Sequence, residues 1–434
     1  VLAISDRTRP SVLLIAEAAN PEWVSVPLVG WNIYQALAKV ADVHLVTHVR
    51  NRDAIKRAGL TEDRDFSVID NEYAAAPLYR FSSLLRGGSG KGWTTVTALS
   101  SLAYYSFEFE LWRTFKKRLL GGEFDIVHRV TPLSPTSQSI LAKRLANRNI
   151  PFIIGPLNGG VPWPRNFIHR QHAEREWLSH IRSIYKLMPA YQSMRRYSSA
   201  ILVGSKHTLA EMPLSVQDKC VYIPENGIRE DQVAPIREPT MRRPLVACFV
   251  GRLVPYKGAD MLIEASAEFL RNGQLLLDIV GDGPERIALE ASTKRLGIEN
   301  FVRFHGLLSH ADVLLKLRES DFMVLPSIRE FGGGVVIEAM AMGATPIVAD
   351  YAGPGELVDA TTGIRVPFVD RNSLVDGLRV AIGNFVENPN LLVGFAKAAR
   401  QKVLERYTWE AKASQIENVY TAVLAKSATL GATF

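Results

Sequence analysis

A chain of 434 residues is long enough for two or three domains of about 150 residues each. Its 47% apolar and 22% charged content is that of a globular protein and excludes a disordered or fibrous chain. Two cysteines, Cys220 and Cys248, exclude a disulfide scaffold and a multi-cysteine zinc site. The net charge of +7 is uneven, because residues 101–200 hold 15 Lys and Arg against 6 Asp and Glu. An excess of that kind points to an anionic partner, a membrane surface or a phosphorylated acceptor. Nucleic acid is not expected, since zinc-finger spacing and RNP-type aromatic motifs are both missing from the sequence. No stretch reaches 18 apolar residues without a charge, so no spanning helix is expected. The apolar run Val12–Ala16 meets Glu17 too early to be a signal-peptide core, and a first residue other than Met implies processing upstream. The expected location is cytoplasmic, with peripheral contact at the inner face of a membrane.

Short β-branched runs alternate with helical patterns along the chain. In the first half the predicted strands are Val12–Ala16, Val43–Thr47, Phe66–Ile69, Asp125–His128, Pro151–Ile154, Ala200–Val203 and Val221–Ile223. In the second half they are Leu245–Val250, Leu275–Val280, Val302–His305, Phe322–Leu325, Pro346–Ala349 and Ile364–Val366. Several are continuous apolar runs, as strands are when helices cover both faces of a sheet. The alternation predicts two parallel α/β sheets, hence two Rossmann-like domains. The polar stretch 229–243, with Pro235 and Pro239 inside it and Pro244 directly after, sets the boundary. The predicted division is 1–235 and 236–410, with a closing C-terminal helix over 411–434. Residues 81–100, with Arg86-Gly87-Gly88-Ser89-Gly90-Lys91-Gly92, read as a mobile insertion. An amphipathic helix over Glu174–Met194, with Trp112, Trp163 and Trp177 among the basic residues, fits contact with an anionic membrane, while a stripe facing the core is the commoner source of such a pattern.

In a sheet of order 3-2-1-4-5-6, ligands bind beyond the carboxyl ends of strands 1 and 4. In the second half those ends run into Gly251-Arg252-Leu253-Val254-Pro255-Tyr256-Lys257-Gly258 and Pro326-Ser327-Ile328-Arg329-Glu330-Phe331-Gly332-Gly333-Gly334. Two cations, a carboxylate and a glycine-started helix, Gly334–Met342, are therefore expected at one crevice. The physics suits a diphosphate. Glycines let backbone N–H groups approach closely, and the helix start is electropositive. Arg252 can fork onto two phosphate oxygens while Lys257 acts as a point charge, each charge-assisted bond contributing roughly 1.5–3 kcal/mol. Glu338 lies about 6 Å along that helix at 1.5 Å per residue, where a carboxylate suits a ribose diol.

These residues resemble a retaining family-4 glycosyltransferase of the GT-B fold. The resemblance is carried by Gly251-Arg252-Leu253-x-x-x-Lys257-Gly258, Val280-Gly281-Asp282-Gly283-Pro284, Val302-Arg303-Phe304-His305-Gly306, Pro326-Ser327-x-x-Glu330 and Glu338-Ala339-Met340-Ala341-x-Gly343. Glu330 and Glu338 are separated by seven residues, the family's Glu-x7-Glu signature. Asn226-Gly227-Ile228 and Tyr407-Thr408-Trp409-Glu410 are also similar to family positions. The resemblance implies two Rossmann-like domains facing each other across a cleft. It assigns Arg252 and Lys257 to the diphosphate and to stabilising the leaving group, Glu338 to the ribose, and the main chain at Leu307–Leu308 to the base. Glu330, with the amides of Gly332, Gly333 and Gly334, is assigned to the donor sugar. The aromatic Phe331 comes one place earlier than in the family's Glu-x-Phe-Gly, which bears on sugar-side packing.

In the first half the resemblance places acceptor-side residues in the loops after strands 1 and 4. A single Gly30 precedes Trp31 where the family has a Gly-Gly pair, and His128-Arg129-Val130 stands where it has His-x-His. Gly30, Trp31, His128 and Asn158 are the acceptor-side candidates. The implied reaction moves a sugar from a nucleotide donor, a UDP-sugar ahead of a GDP-sugar, to a hydroxyl of a glycan or lipid-linked acceptor. No cofactor or metal is called for. Asp63-Arg64-Asp65 is formally a metal-binding Asp-x-Asp but precedes a strand, away from the crevice, and reads as a solvated turn. Three other classes stay open: a nucleotide-sugar epimerase on the same scaffold, a non-catalytic nucleotide-sugar-binding subunit, and an NAD enzyme. The last rests on Gly281-Asp282-Gly283, which has Arg286 where a third glycine belongs.

Overall fold

The computed structural model describes residues 9–74, 76–77, 93–167, 185–235 and 244–431. The chain forms two compact units. One comprises residues 1–160, 174–225 and 409–434, and the other residues 161–173 and 226–408. The chain thus changes unit after Glu225 and again after Thr408, and lends a short excursion to the second unit before either point. The stretch 229–243 lies inside the second unit as far as it is described, and its residues 236–243 lie outside the described residues.

The first unit carries seven parallel strands: β1 (Ser11–Ala16), β2 (Asp42–His48), β3 (Phe66–Ile69), β4 (Ile126–Thr131), β5 (Phe152–Leu157), β6 (Ala200–Val203) and β7 (Cys220–Tyr222). Their order is β3-β2-β1-β4-β5-β6-β7. All six residues of β1 are buried, and its two-residue side-chain period feeds two separate cores. Val12, Leu14 and Ala16 pack with Trp409, Ile416 and Tyr420 of the closing helix Trp409–Gly431. Leu13 and Ile15 pack with Tyr104, Phe107, Leu111 and Phe115 of helix Trp93–Leu120. That is why β1 is continuously apolar.

Helix Trp93–Leu120 corrects part of the expected insertion: residues 81–92 lie outside the described residues, but 93–100 are helical. Beyond Gly92 the sequence has neither glycine nor proline until Gly121, so nothing stops a helix. Of the expected amphipathic helix over 174–194, residues 174–184, Trp177 among them, lie outside the described residues; from 185 the chain makes one 3-10 turn, breaks at Ala190 (φ 68°) and starts a separate short helix, Tyr191–Tyr197, so the described part is not one continuous helix.

The basic excess of this unit is not all surface charge. Arg129 and Arg195 are among its most deeply buried side chains. The Arg129 guanidinium donates to the Ser137 carbonyl (2.7 Å), and Arg195 donates to Gln138 Oε1 (2.9 Å) and lies 3.7 Å from the centre of the Tyr191 ring. They stabilise the chain that follows β4, and the expected basic membrane face loses two of its members.

The second unit has six parallel strands: β8 (Leu245–Val250), β9 (Leu275–Val280), β10 (Val302–Gly306), β11 (Phe322–Leu325), β12 (Thr345–Ala349) and β13 (Ile364–Val366). Their order, β10-β9-β8-β11-β12-β13, is the doubly wound 3-2-1-4-5-6 arrangement, with the winding reversing between β8 and β11. At the unit's edge the Ile228 amide donates to the Tyr407 carbonyl (3.1 Å), joining the two segments that enter and leave it.

Candidate functional site at the switch point of the second unit

β8 runs through Gly251–Val254 into a single turn, Pro255–Lys257, and then helix Ala259–Arg271. β11 runs through Pro326–Gly333 into helix Gly334–Met342. The two loops are joined. The Ile328 amide donates to the Tyr256 carbonyl (2.9 Å), and Ser327 Oγ donates to the same oxygen (3.3 Å). Gly258 makes this close packing feasible. It sits at φ 78°, and a Cβ there would lie 2.7 Å from the Pro326 carbonyl oxygen.

The expected diphosphate and sugar groups are brought together here, in an arrangement the sequence did not disclose. Lys257 and Glu330, 73 residues apart, form an ion pair at the mouth of the two loops. Arg252 is exposed, and its guanidinium makes no hydrogen bond or ion pair among the described residues. Gly332 and Gly333 are buried, and Gly333 caps the helix in the left-handed conformation (φ 58°), so the amides of Gly333 and Gly334 open the helix. Asn226, at the start of the unit's main segment, lies against Gly334: a Cβ on the glycine would be 3.4 Å from Asn226 Cγ.

Glu338 is half-buried one turn into the helix, and its Oε1 is 3.0 Å from Nε2 of His310. His310 begins helix His310–Glu319, capped by Ser309, directly after the exposed Leu307 and half-buried Leu308. The base, ribose and diphosphate residues inferred from sequence therefore all lie along the carboxyl edge of one sheet. His310 was missed, because its partner is 28 residues away and only the fold brings them together. The hydrogen bond to Glu338 raises the His310 pKa above its ordinary 6.5, against the opposing effects of burial and of Arg229. A raised pKa means the pair's contribution is complete below pH 6.5 and is lost as pH rises through the folded value. An NMR titration is expected to find His310 above 6.5 in the native protein and lowered in Glu338→Gln.

Gly281-Asp282-Gly283 serves packing of the two loops. A Cβ on Gly281 would lie 2.0 Å from the Gly251 carbonyl oxygen, and one on Gly283 would lie 2.3 Å from that of Leu253. The glycines accept the close approach of the β8 loop, which accounts for them without a dinucleotide.

The acceptor-side candidates of the first unit are placed differently from expectation. Helix Val26–Leu37 starts early, with Pro27 in its first turn, so Gly30 and Trp31 are helical and buried. Gly30 is needed because a Cβ would lie 2.2 Å from the Ala18 carbonyl oxygen, and Trp31 packs on Tyr34 (5.5 Å between ring centres). His128 is wholly buried. Its ring nitrogens lie 2.7 Å from the Tyr420 hydroxyl and 2.9 Å from the Gly155 carbonyl, and burial pushes its pKa down to about 4. β4 continues three residues past it, so His128 is part of the strand core and is not presented to an acceptor. Val130 is buried too. Asn158, just beyond β5, is buried and donates to Glu225 Oε1 (2.7 Å).

Asp63 and Asp65 lie in an exposed turn. Asp65 pairs with Arg64 (2.8 Å), and no cluster of three His, Cys, Asp or Glu suited to a metal occurs among the described residues. No helix among the described residues is long and apolar enough to cross a membrane.

Residues 235–402 match the family described as Glycosyl transferases group 1. The match is confined to that stretch, most of the second unit. It contains Arg252, Lys257, Glu330 and Glu338. The chain is 32% identical over 183 residues to the alpha-D-kanosaminyltransferase of Streptomyces kanamyceticus, covering 42% of this chain and 46% of that protein. It is 32% identical over 193 residues to the D-inositol 3-phosphate glycosyltransferase of Streptomyces avermitilis, covering 42% and 40%. The chain thus spans about half the length of the curated relatives it matches.

Among solved structures, Anabaena HepE in complex with UDP superposes with a TM-score of 0.62 at 16% identity, covering 95% of this chain and all of that one. Sucrose-phosphate synthase of Thermosynechococcus elongatus gives 0.61 at 19% identity, covering 96% and 100%. These likenesses are of fold: both Rossmann-like units of the GT-B type are present, and the family match lies in the second.

Proposed function

We propose that the protein is a retaining glycosyltransferase. It moves a sugar from a nucleotide donor, a UDP-sugar ahead of a GDP-sugar, to a hydroxyl of a glycan or lipid-linked acceptor. One observation carries this reading: Arg252, Lys257, Glu330, the glycine-led helix start and Glu338 gather at the switch point of a group 1 domain. The binding of UDP by HepE, a protein of the same fold, supports a uridine nucleotide.

In the proposed reaction the bond between the sugar's anomeric carbon and the diphosphate breaks, and negative charge grows on the departing phosphate. Arg252, Lys257 and the helix N-terminus stabilise that charge where it develops. Glu330 is an acceptor of hydrogen bonds from sugar hydroxyls, and Glu338 of those from the ribose diol. The acceptor hydroxyl attacks on the face the leaving group departs from and passes its proton to a phosphate oxygen. The anomeric configuration is thereby retained. The scheme calls on no metal, its positive charge coming from the two side chains and the helix.

Purified protein mixed with a panel of UDP- and GDP-sugars, with and without a glycan acceptor, tests this reading through release of free diphosphate. Acceptor-dependent release from a UDP-sugar is expected. Epimerised donor without acceptor, or binding without turnover, would overturn it.

A further inference from the structure

Residues 161–167 follow β5 in the chain yet belong to the second unit, where they lie along the carboxyl ends of its strands. Three contacts fix the segment there. The Tyr351 hydroxyl, beyond β12, donates to the Pro162 carbonyl (2.7 Å). Asn166 Nδ2 donates to the Val369 carbonyl (2.9 Å), beyond β13. The Phe167 ring meets Phe368 edge-on at 5.6 Å.

Between these anchors Trp163 is buried against both loops of the candidate site. Its ring meets Tyr256 edge-on, with centres 6.2 Å apart at 88°. The Arg329 guanidinium carbon is 5.0 Å from the indole centre and 5.5 Å from the Phe331 ring. Tyr256 immediately precedes Lys257, and Arg329 immediately precedes Glu330. The indole therefore touches the neighbour of each member of the ion pair, on top of the backbone bond that already links the two loops.

Trp163, one of the three tryptophans among the basic residues 101–200, is buried and so is not part of a membrane-facing surface. We propose instead that Trp163 is a positioning residue of the donor site. It holds the Tyr256–Lys257 turn and the Arg329–Glu330 loop at a fixed separation, so that the cation and the carboxylate meet the diphosphate and the sugar together. The interaction uses both properties of an indole: an edge-to-face contact with one ring, and an electron-rich face for a guanidinium. Leucine fills much of the same apolar space and has neither property, whereas phenylalanine has both in weaker form. This inference rests on the reading of the site as a nucleotide-sugar site.

The test compares wild type, Trp163→Leu and Trp163→Phe in donor kinetics, UDP binding by calorimetry, and melting temperature. For Trp163→Leu, kcat/KM is expected to fall by about 100-fold, the cost of a small misplacement of groups near the chemistry. The Kd for UDP should rise alongside at a temperature well below the melting point; inactive protein would instead lower the binding stoichiometry and leave Kd unchanged. Trp163→Phe is expected to stay within about tenfold of wild type. Equal kinetics and equal UDP affinity for the leucine variant and wild type would overturn the proposal, as would equal losses in the leucine and phenylalanine variants. A wild-type protein that neither binds UDP nor turns over a donor would instead overturn the underlying reading of the site, and the brace with it.

Discussion

Replacing Arg252 by alanine is expected to lower turnover by roughly two to three orders of magnitude, the usual loss when one well-placed oxyanion donor is removed. The same change is expected to leave the melting temperature unaltered. The side chain is exposed and has no ion-pair or hydrogen-bond partner among the described residues, so truncating it leaves nothing unpaired. Lys257 offers a poorer test. Its removal strands Glu330 beside it and mixes a lost contact with an uncompensated charge. Steady-state kinetics with a UDP-sugar, alongside a thermal melt, check the expectation. An unchanged kcat/KM for Arg252→Ala would contradict it.

Gly281→Ala is expected to be the most damaging single methyl group in the second unit. Gly281 sits at φ 127°, a conformation that L side chains rarely adopt and that costs about 1–3 kcal/mol when forced. The added Cβ would also fall 2.0 Å from the Gly251 carbonyl oxygen and 2.9 Å from its carbon, both backbone atoms that cannot swing aside. Relief requires shifting the β8 loop that carries Arg252. A loss of about 3 kcal/mol or more is expected in denaturant unfolding, together with loss of turnover. Gly394→Ala is the matched control. It lies in helix Leu391–Arg406 with nothing within 4 Å of the new Cβ, and should stabilise by about 0.5–1 kcal/mol. Equal stabilities for the two variants would contradict the packing argument.

The strands were legible wherever a run is apolar on both faces. Leu245–Val250, Leu275–Val280, Phe322–Leu325 and Ile364–Val366 begin and end in the structure where their residues indicate. The winding order of the second sheet follows from alternation with helices, and it suffices to bring Arg252, Lys257, Glu330 and Glu338 to one edge. What the sequence hid are pairings between distant residues. Nothing local says that Lys257 meets Glu330, that His310 meets Glu338, or that a tryptophan between two prolines packs against Tyr256 and Arg329.

The first unit was harder to read at its loops. Ser25-Val26-Pro27 carries a helix-start signal, with proline in the first turn, and reading past it left Gly30 and Trp31 in a loop. His128 was placed at a strand end, but the β-branched Val130 and Thr131 extend β4 beyond it and bury the ring. The basic count of residues 101–200 could not distinguish surface charge from Arg129 and Arg195, which are interior and hydrogen-bonded to loop carbonyls or amides.

A crystal structure with UDP, or with a UDP-sugar, tests most directly whether the switch point of the second unit is the donor site. The diphosphate is expected within hydrogen-bonding distance of Arg252 and Lys257 at the start of helix Gly334–Met342, the ribose diol on Glu338, and the base against the main chain of Leu307–Leu308. Nucleotide bound elsewhere, with Arg252 and Lys257 untouched, would contradict it.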